Sequence, residues 1–369
     1  MGNLETSGGI LTIDLAALVD NWRGLKGRLD GADCGAAIKA DAYGLGAERA
    51  VIELAKAGCC EFFVALIDEG VQLRRVLDDA GLDASIHVLG GPMNARMALV
   101  EHRLIPVLNS LSDIETWKKH HGGVPCDVHI DTGMLRLGLS PTDVMDLQAS
   151  PERTLGMNIS YVLSHLACAE DPQTDMNARQ LEEFIQARTL FPGCKASLAS
   201  SSGIFLGPDY HFDLARPGIA LYGSNPTPGK PNPMAQVVRL QGKILQVRDV
   251  DAPQTVGYGA THRIEQKGRI ATVGVGYADG YLRSLSSRSY GYLGDIRVPL
   301  VGRVSMDLIT FDVSEVPQSE AHPGALIDLI GPNNPVDDVA ETAGTIGYEI
   351  LTSLGNRYHR VFTGDGETP

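Results

Sequence analysis

Cysteine is scarce in this chain, and it is poorly spaced for chemistry. Among 369 residues there are six, Cys34, Cys59, Cys60, Cys126, Cys168 and Cys194, and none forms a C-x-x-C pair. The adjacent Cys59-Cys60 suits neither a zinc site nor a disulfide framework, so a disulfide-stapled secreted domain is excluded and a reduced compartment is expected. No apolar run approaches the length of a membrane-spanning helix. Positive charge is in deficit: 31 Lys and Arg against 45 Asp and Glu give a net charge of −14, which argues against binding nucleic acid or anionic membrane through bulk charge. Residues 1–10 lack the basic stretch and apolar core of a secretory signal, so a cytoplasmic location is expected. Met1-Gly2 with Thr6 fits the loose myristoylation pattern, which is short enough to arise by chance. His120, His121 and His129 stand at no metal-ligand spacing with carboxylates, so no metal site is read. Gly274-Val275-Gly276 lacks the third glycine of a dinucleotide fingerprint. There is no internal repeat.

What is present is an alternation. Short apolar runs at 35–39, 62–66, 86–89, 105–108, 128–130, 159–164, 196–199 and 219–222 read as strands buried on both faces. Between them lie stretches with helical spacing, notably 47–57, 68–80 and 177–190. Eight strands alternating with helices suggest a (β/α)8 barrel, although a doubly wound sheet gives a similar pattern. The pattern changes after Gly223. Residues 225–233 are rich in Pro and Gly and read as a linker. The runs 236–247, 269–275, 297–301 and 308–313 carry strand character, and only 336–354 looks helical.

Polar residues fall at the ends of the barrel runs. Lys39 closes the first, Arg136 follows the fifth, His165 ends the sixth, Ser200-Ser201-Ser202 the seventh, and Arg216 precedes the eighth. Barrels of this kind gather catalytic groups at the C-terminal strand ends and often bind phosphate with the loops after strands seven and eight. A lysine facing a phosphate cradle is what a pyridoxal-phosphate enzyme requires: an amine for a Schiff base and donors for the phosphate. Each residue alone has a plainer reading. A lysine at a strand end is more often a snorkelling surface residue, and a histidine in an apolar run is more often a satisfied core group. Convergence at one end of one barrel is what favours chemistry.

The motifs go further. Ala37-Ile38-Lys39-Ala40-Asp41-Ala42-Tyr43-Gly44 resembles the cofactor-lysine motif of alanine racemases. The resemblance continues through Asp131-Thr132-Gly133-Met134, Arg136-Leu137-Gly138, Ser164-His165 and Arg216-Pro217-Gly218-Ile219. It extends to Val275-Gly276-Tyr277-Ala278-Asp279-Gly280, Gly302-Arg303-Val304-Ser305-Met306-Asp307 and Gly347-Tyr348-Glu349, in family order over nearly the whole chain. It implies an α/β fold, a TIM-type (β/α)8 barrel over 10–225 followed by a mainly β domain over 234–369 that the first several residues join.

It also implies pyridoxal-phosphate-dependent interconversion of L- and D-alanine, supplying D-alanine for peptidoglycan or consuming it. Lys39 would hold the cofactor and act as base on the D face, and Tyr277 of the partner subunit would act on the L face of a head-to-tail homodimer with shared active sites. A tyrosine base needs help, since its ordinary pKa is near 10, and a cationic network through His165 and Arg216 would supply it. Arg216 would face the pyridine nitrogen and keep it unprotonated. Arg136 would bind the cofactor phenolate and the substrate carboxylate. Tyr43, Ser201, Gly218, Ile219 and Tyr348 would hold the phosphate, the backbone of Met306 would help bind the carboxylate, and Asp307 would shape the mouth of the site.

Three residues depart from the family. His129 stands where a carbamylated lysine is often found, and cannot supply that negative charge unaided. Ser200 replaces a usual Asn, and Leu45 a common His. Two other activities are compatible with the plan: a racemase of wider range that takes serine, and a barrel-type decarboxylase of basic amino acids, which would want a carboxylate where Arg216 stands.

Overall fold

The structure, a computed structural model, describes residues 4–364, so Met1 and Gly2 of the myristoylation-like pattern and residues 365–369 of the expected second domain lie outside the described residues. Seven short parallel strands, Ala36–Ala37, Glu61–Val64, Ser85–Val88, Ile105–Leu108, Cys126–His129, Ile159–Leu163 and Lys195–Ser197, pair in chain order. The eighth, Leu214–Ala215, pairs in parallel with Asp33–Cys34, the segment that leads into the first. Asp213 N donates to Ala196 O at 3.0 Å and Arg216 N to Ala199 O at 2.9 Å, so the seventh and eighth strands also join and the ring closes.

The eighth strand therefore comes earlier than the apolar run at 219–222 suggests. That run is a short 3-10 helix, Ile219–Tyr222. Pro217 has no N–H to offer a ladder, and the chain bends at Gly218 (φ −126°, ψ −87°), so the strand cannot continue into it. Arg216 consequently follows the eighth strand instead of preceding it. The first strand is also shorter than 35–39, because the chain turns at Lys39.

Helices cover the barrel as their apolar spacing requires. Ala47–Lys56 buries Ala50, Val51 and Leu54, and Ile67–Asp79 buries Leu73 and Leu77. Asp175–Arg188 buries Phe184, Ala187 and also Gln180. Leu15–Lys26, which precedes the barrel, is capped by the Asp14 carboxylate accepting from Ala17 N at 2.9 Å and packs Leu18, Trp22 and Leu25 inward.

The second sheet is built on Val238–Val250. That strand pairs antiparallel with Gly9–Asp14, Gly268–Val273 and Leu326–Ile330, and Gly9–Asp14 pairs in parallel with His359–Thr363. The N-terminal strand thus lies in the C-terminal sheet, while the helix after it packs on the barrel. One continuous apolar core links the two parts, from Trp22 and Phe62 in the barrel to Phe311 and Tyr358 in the sheet. The helical stretch 336–354 divides into Val336–Ala343 and Gly347–Ser353, with Gly344 in the left-handed conformation (φ +76°) ending the first. Among the described residues, no helix is long and apolar enough to cross a membrane.

Candidate active site

The C-terminal ends of the barrel strands surround a cavity of about 290 Å³. Lys39, Tyr43, Arg136, His165, Ser201, Arg216, Gly218, Ile219 and Tyr348 all line it, with His129 and Ser200. Phe63, Leu89, Val107 and Leu163, each at or within one residue of the C-terminal end of its strand, give it an apolar wall. No carboxylate is among the lining residues, while Lys39, Arg136 and Arg216 are. A cavity with three cationic side chains and no acid is suited to an anionic ligand.

Arg216 is deeply buried and donates to the Ser164 carbonyl at 2.6 Å and to the Ser197 hydroxyl. Burial pushes its pKa down to about 10, opposed by Asp127, so it stays charged at neutral pH. Burial, then Arg136 and Arg216, hold the Lys39 amine below the ordinary lysine value, opposed by Glu69. The same physics acts on the two histidines. Burial and then Arg216 push His165 down to about 3 and His129 down to about 4. Both imidazoles are neutral at working pH, so the positive charge beside His165 comes from Arg216.

Ser201 and Gly218 form a backbone cradle. The Ser201 hydroxyl accepts from Gly218 N at 2.9 Å and Ala220 N at 3.2 Å. Any side chain at Gly218 would collide with the Tyr43 hydroxyl, 2.2 Å from where its Cβ would be. Tyr43 packs against Tyr222 (4.7 Å) and Tyr348 (5.9 Å), and burial raises the pKa of both Tyr43 and Tyr348, the latter to about 12. Both hydroxyls are therefore donors throughout the physiological range.

A supporting layer escaped the sequence reading. Asn109 donates its amide to the Leu89 (3.1 Å) and Val107 (3.0 Å) carbonyls, so its Oδ1 faces His129 Nδ1 at 2.9 Å and accepts from it. His129 therefore carries its proton on Nδ1 and presents Nε2 as an acceptor. Gln180 donates to the His165 carbonyl at 2.9 Å and to the Thr132 hydroxyl at 3.1 Å, and that hydroxyl pairs with Ser164 at 2.8 Å. Asn109 could have been found by the rule that found Lys39, since it immediately follows a strand end. Gln180 carried no such signal: a polar residue inside a helix becomes conspicuous only when it proves fully buried.

Tyr277, Met306 and Asp307 are absent from this lining. They sit together on the β domain, where Tyr277 N donates to Ser305 O at 3.0 Å and Ala278 N to Met306 O at 2.9 Å. Gly276 makes that approach possible, since a Cβ there would lie 2.3 Å from the Met306 carbonyl oxygen. Arg357 bridges the Asp279 carboxylate (3.0 Å) and that of Asp307 (2.7 Å). Tyr277 is 42 % exposed and Met306 54 %, so within one chain this ledge faces outward.

Comparison with known proteins gives this arrangement a lineage. The alanine racemase N-terminal domain family matches residues 13–226, and its C-terminal domain family matches 237–362. The alanine racemase of Rhodospirillum rubrum is 52 % identical over 370 residues, covering 99 % of this chain and 98 % of its own. The crystal structure of alanine racemase from Bartonella henselae with covalently bound pyridoxal phosphate superposes with a TM-score of 0.91 at 40 % identity, over 96 % of this chain and 99 % of that one. The biosynthetic alanine racemase of Pseudomonas aeruginosa does so with a TM-score of 0.89 at 31 % identity, over 97 % and 100 %. Two family models that together span nearly the whole chain, and relatives matched over almost their full length, leave one conclusion: the chain belongs to the alanine racemase family.

Proposed function

We propose that the protein interconverts L- and D-alanine with pyridoxal phosphate held on Lys39. The observation that carries this reading is the cavity itself: an amine held below its ordinary pKa, two further cations, a hydroxyl-and-amide cradle and no carboxylate. That donor set fits a phosphorylated, phenolate-bearing cofactor. When bound, pyridoxal phosphate supplies the electron sink that lets the α-carbon of an amino acid part with its proton.

The chain's residues do the rest. Tyr43, Tyr348, Ser201 and the backbone of Gly218 and Ile219 hold the phosphate. Arg136 binds the phenolate and the substrate carboxylate, a planar fork matched to a planar anion. His165 adds a neutral imidazole to the wall. Arg216 offers only donors, so it would leave a ring nitrogen placed against it unprotonated, and the cofactor would then supply a weaker electron sink, which suits racemisation. A decarboxylase would want a carboxylate there, which argues for racemisation. Lys39 moves the proton on one face and Tyr277 of the partner subunit on the other, since inversion through a planar carbon is simplest with a base on each side.

The outward ledge supports that sharing. Met306 would lend its backbone to the substrate carboxylate, and Asp307, held by Arg357, would shape the mouth of the partner's site. The barrel that would hold the cofactor runs to about residue 225, but the expected start at residue 10 is corrected: Gly9–Asp14 lies in the sheet of the β domain that begins near residue 234. Because the reaction is reversible, the same site serves supply or consumption of D-alanine. The test is chiral analysis of L-alanine incubated with the protein and cofactor, with borohydride labelling of the peptide that carries Lys39. Racemisation with the label on that peptide supports the reading. Keto acid, amine or unchanged alanine as the product, or label elsewhere, contradicts it.

A further inference from the structure

Immediately after Lys39 the backbone runs left-handed for four successive non-glycine residues. Ala40, Asp41, Ala42 and Tyr43 have φ between 52° and 57°. Such a run is unfavourable for L-residues and persists only where its surroundings fix it. Its far end is held by Ala47 N donating to the Asp41 carboxylate at 2.7 Å and by Arg360 donating to the Gly44 carbonyl at 2.8 Å. At its near end, Ala42 N donates to Ile38 O at 2.9 Å, and the peptide that joins Lys39 to Ala40 is held from outside the run by Ala40 N donating to Glu69 Oε1 at 2.7 Å.

Glu69 sits in the first turn of Ile67–Asp79, and its other oxygen accepts from Ala65 N (2.8 Å) and Leu66 N (2.9 Å) at the start of that helix. Ordinary capping needs no more than that. Asp143, at the equivalent place in Pro141–Ala149, accepts from the N–H and hydroxyl of Ser140, three residues before it, and Asp113 in Leu111–His121 accepts from Asn109 N at 3.1 Å. Glu69 alone of these three reaches across 29 residues to another strand end. Ala37 and Phe63 are already paired in the sheet, so the carboxylate ties the ends of two adjacent strands at the point where the lysine emerges. It also places a negative charge near an amine that Arg136 and Arg216 otherwise surround with positive charge.

We propose that Glu69 is a positioning residue for Lys39, clamping the peptide that follows the lysine and supplying the negative charge that offsets the two arginines at its amine. The proposal rests on the reading of Lys39 as the cofactor-holding lysine. Capture requires the neutral amine: its nitrogen adds to the aldehyde carbon of pyridoxal phosphate, and the aldehyde oxygen leaves as water. Without the Glu69 charge the amine sheds its proton at lower pH. Without the clamp the lysine is misplaced for proton transfer.

The experiment is the pH profile of cofactor capture by the full chain, followed by absorbance after removal and readdition of pyridoxal phosphate, together with kcat and KM. Glu69→Gln keeps one acceptor oxygen and no charge. Its capture profile moves to lower pH, and kcat falls roughly ten-fold with KM for alanine little changed. Glu69→Asp keeps the charge but is one methylene short, so its profile stays in place while kcat falls. Asp143→Asn, which loses a helix cap away from the cavity, lowers thermal stability only. If Glu69→Gln captures cofactor with the original profile and turns over at the original rate, Glu69 is a helix cap and the proposal fails. Should Glu69→Gln not fold, an unchanged kcat in Glu69→Asp overturns the clamp just as well. Failure of the unsubstituted chain to capture cofactor on Lys39 would instead overturn the reading beneath it.

Discussion

Two surfaces of this molecule carry polar side chains at close quarters, and they are built in opposite ways. The barrel cavity is sunk among strand ends, walled by Phe63, Val107 and Leu163, and lined by nine of the twelve residues that the motifs mark for function. The Tyr277 ledge is pinned just as firmly in its backbone, by two hydrogen bonds to the Ser305–Met306 segment, yet it faces outward. On the proposed reading, the contrast means that one chain holds a cofactor site without its second base, and a second base without a cofactor site.

Breaking the cavity half should have the largest effect. Lys39→Ala removes the only amine among the lining residues. Alanine racemisation is expected to fall by roughly a thousand-fold or more, with loss of absorbance near roughly 420 nm from bound cofactor. A coloured, active Lys39→Ala protein would mean that the cavity is not where the cofactor is held.

Next is Arg216→Glu. A carboxylate would let the ring nitrogen take a proton, strengthening the sink and allowing the proton to return to the wrong atom. Racemisation should slow by about a hundred-fold, with keto acid appearing as a side product that the unsubstituted protein does not make. Racemisation at the original rate with no keto acid would show that the charge of this group does not set the outcome.

The smallest effect separates the cavity from the barrel interior below it. His129 and His165 are held neutral, pushed down to about 4 and about 3 from an ordinary value of about 6.5, so the unfolded chain binds more protons than the folded one as pH falls below about 6.5. Their contribution to stability is complete above that value and drains away toward pH 4. His87 is the reverse case. Both its nitrogens contact carboxylates, Asp127 at 2.6 Å and Glu61 at 2.7 Å, and although burial opposes it, Asp127 and then Glu61 raise its pKa to about 9. Its contribution is complete below about 6.5 and is lost as pH rises through about 9. For the cofactor-free chain, the melting temperature should fall by roughly 5 °C between pH 7 and pH 5, and by clearly less in a His129→Gln, His165→Gln double variant. Equal acid losses in both proteins would mean that the cavity histidines are not held neutral.

Much of this was legible before any coordinates. The apolar runs found the barrel because parallel strands buried on both faces leave continuous hydrophobic stretches. The rule that chemistry gathers at C-terminal strand ends marks Lys39 and His165, both of which line the cavity, whereas Arg216 reads as preceding the eighth run and is found after that strand. The eighth strand was misplaced because Leu214–Ala215 is two residues long, whereas the more apolar stretch beside it coils into a 3-10 helix. The Gly9–Asp14 strand has no local signature because its partners lie more than 200 residues away, and only the resemblance implies that the first several residues join the β domain. Asn109, Gln180 and Glu69 were missed for a related reason. Each is an ordinary polar residue locally, and only its long-range partner gives it meaning.

The central claim is that the two surfaces complete each other across a two-fold dimer. Lys39→Ala and Tyr277→Phe should each be nearly inactive alone. Mixed in equal amounts and allowed to exchange subunits, with one variant mass-tagged to prove exchange, about half of the dimers become mixed if pairing is random. Each mixed dimer holds one site with both defects and one with neither, so about a quarter of all sites are intact and activity should recover to about a quarter of that of the unsubstituted protein. If Lys39 and Tyr277 of one chain served the same site, every site would keep one defect. Demonstrated exchange with no recovery would contradict the account.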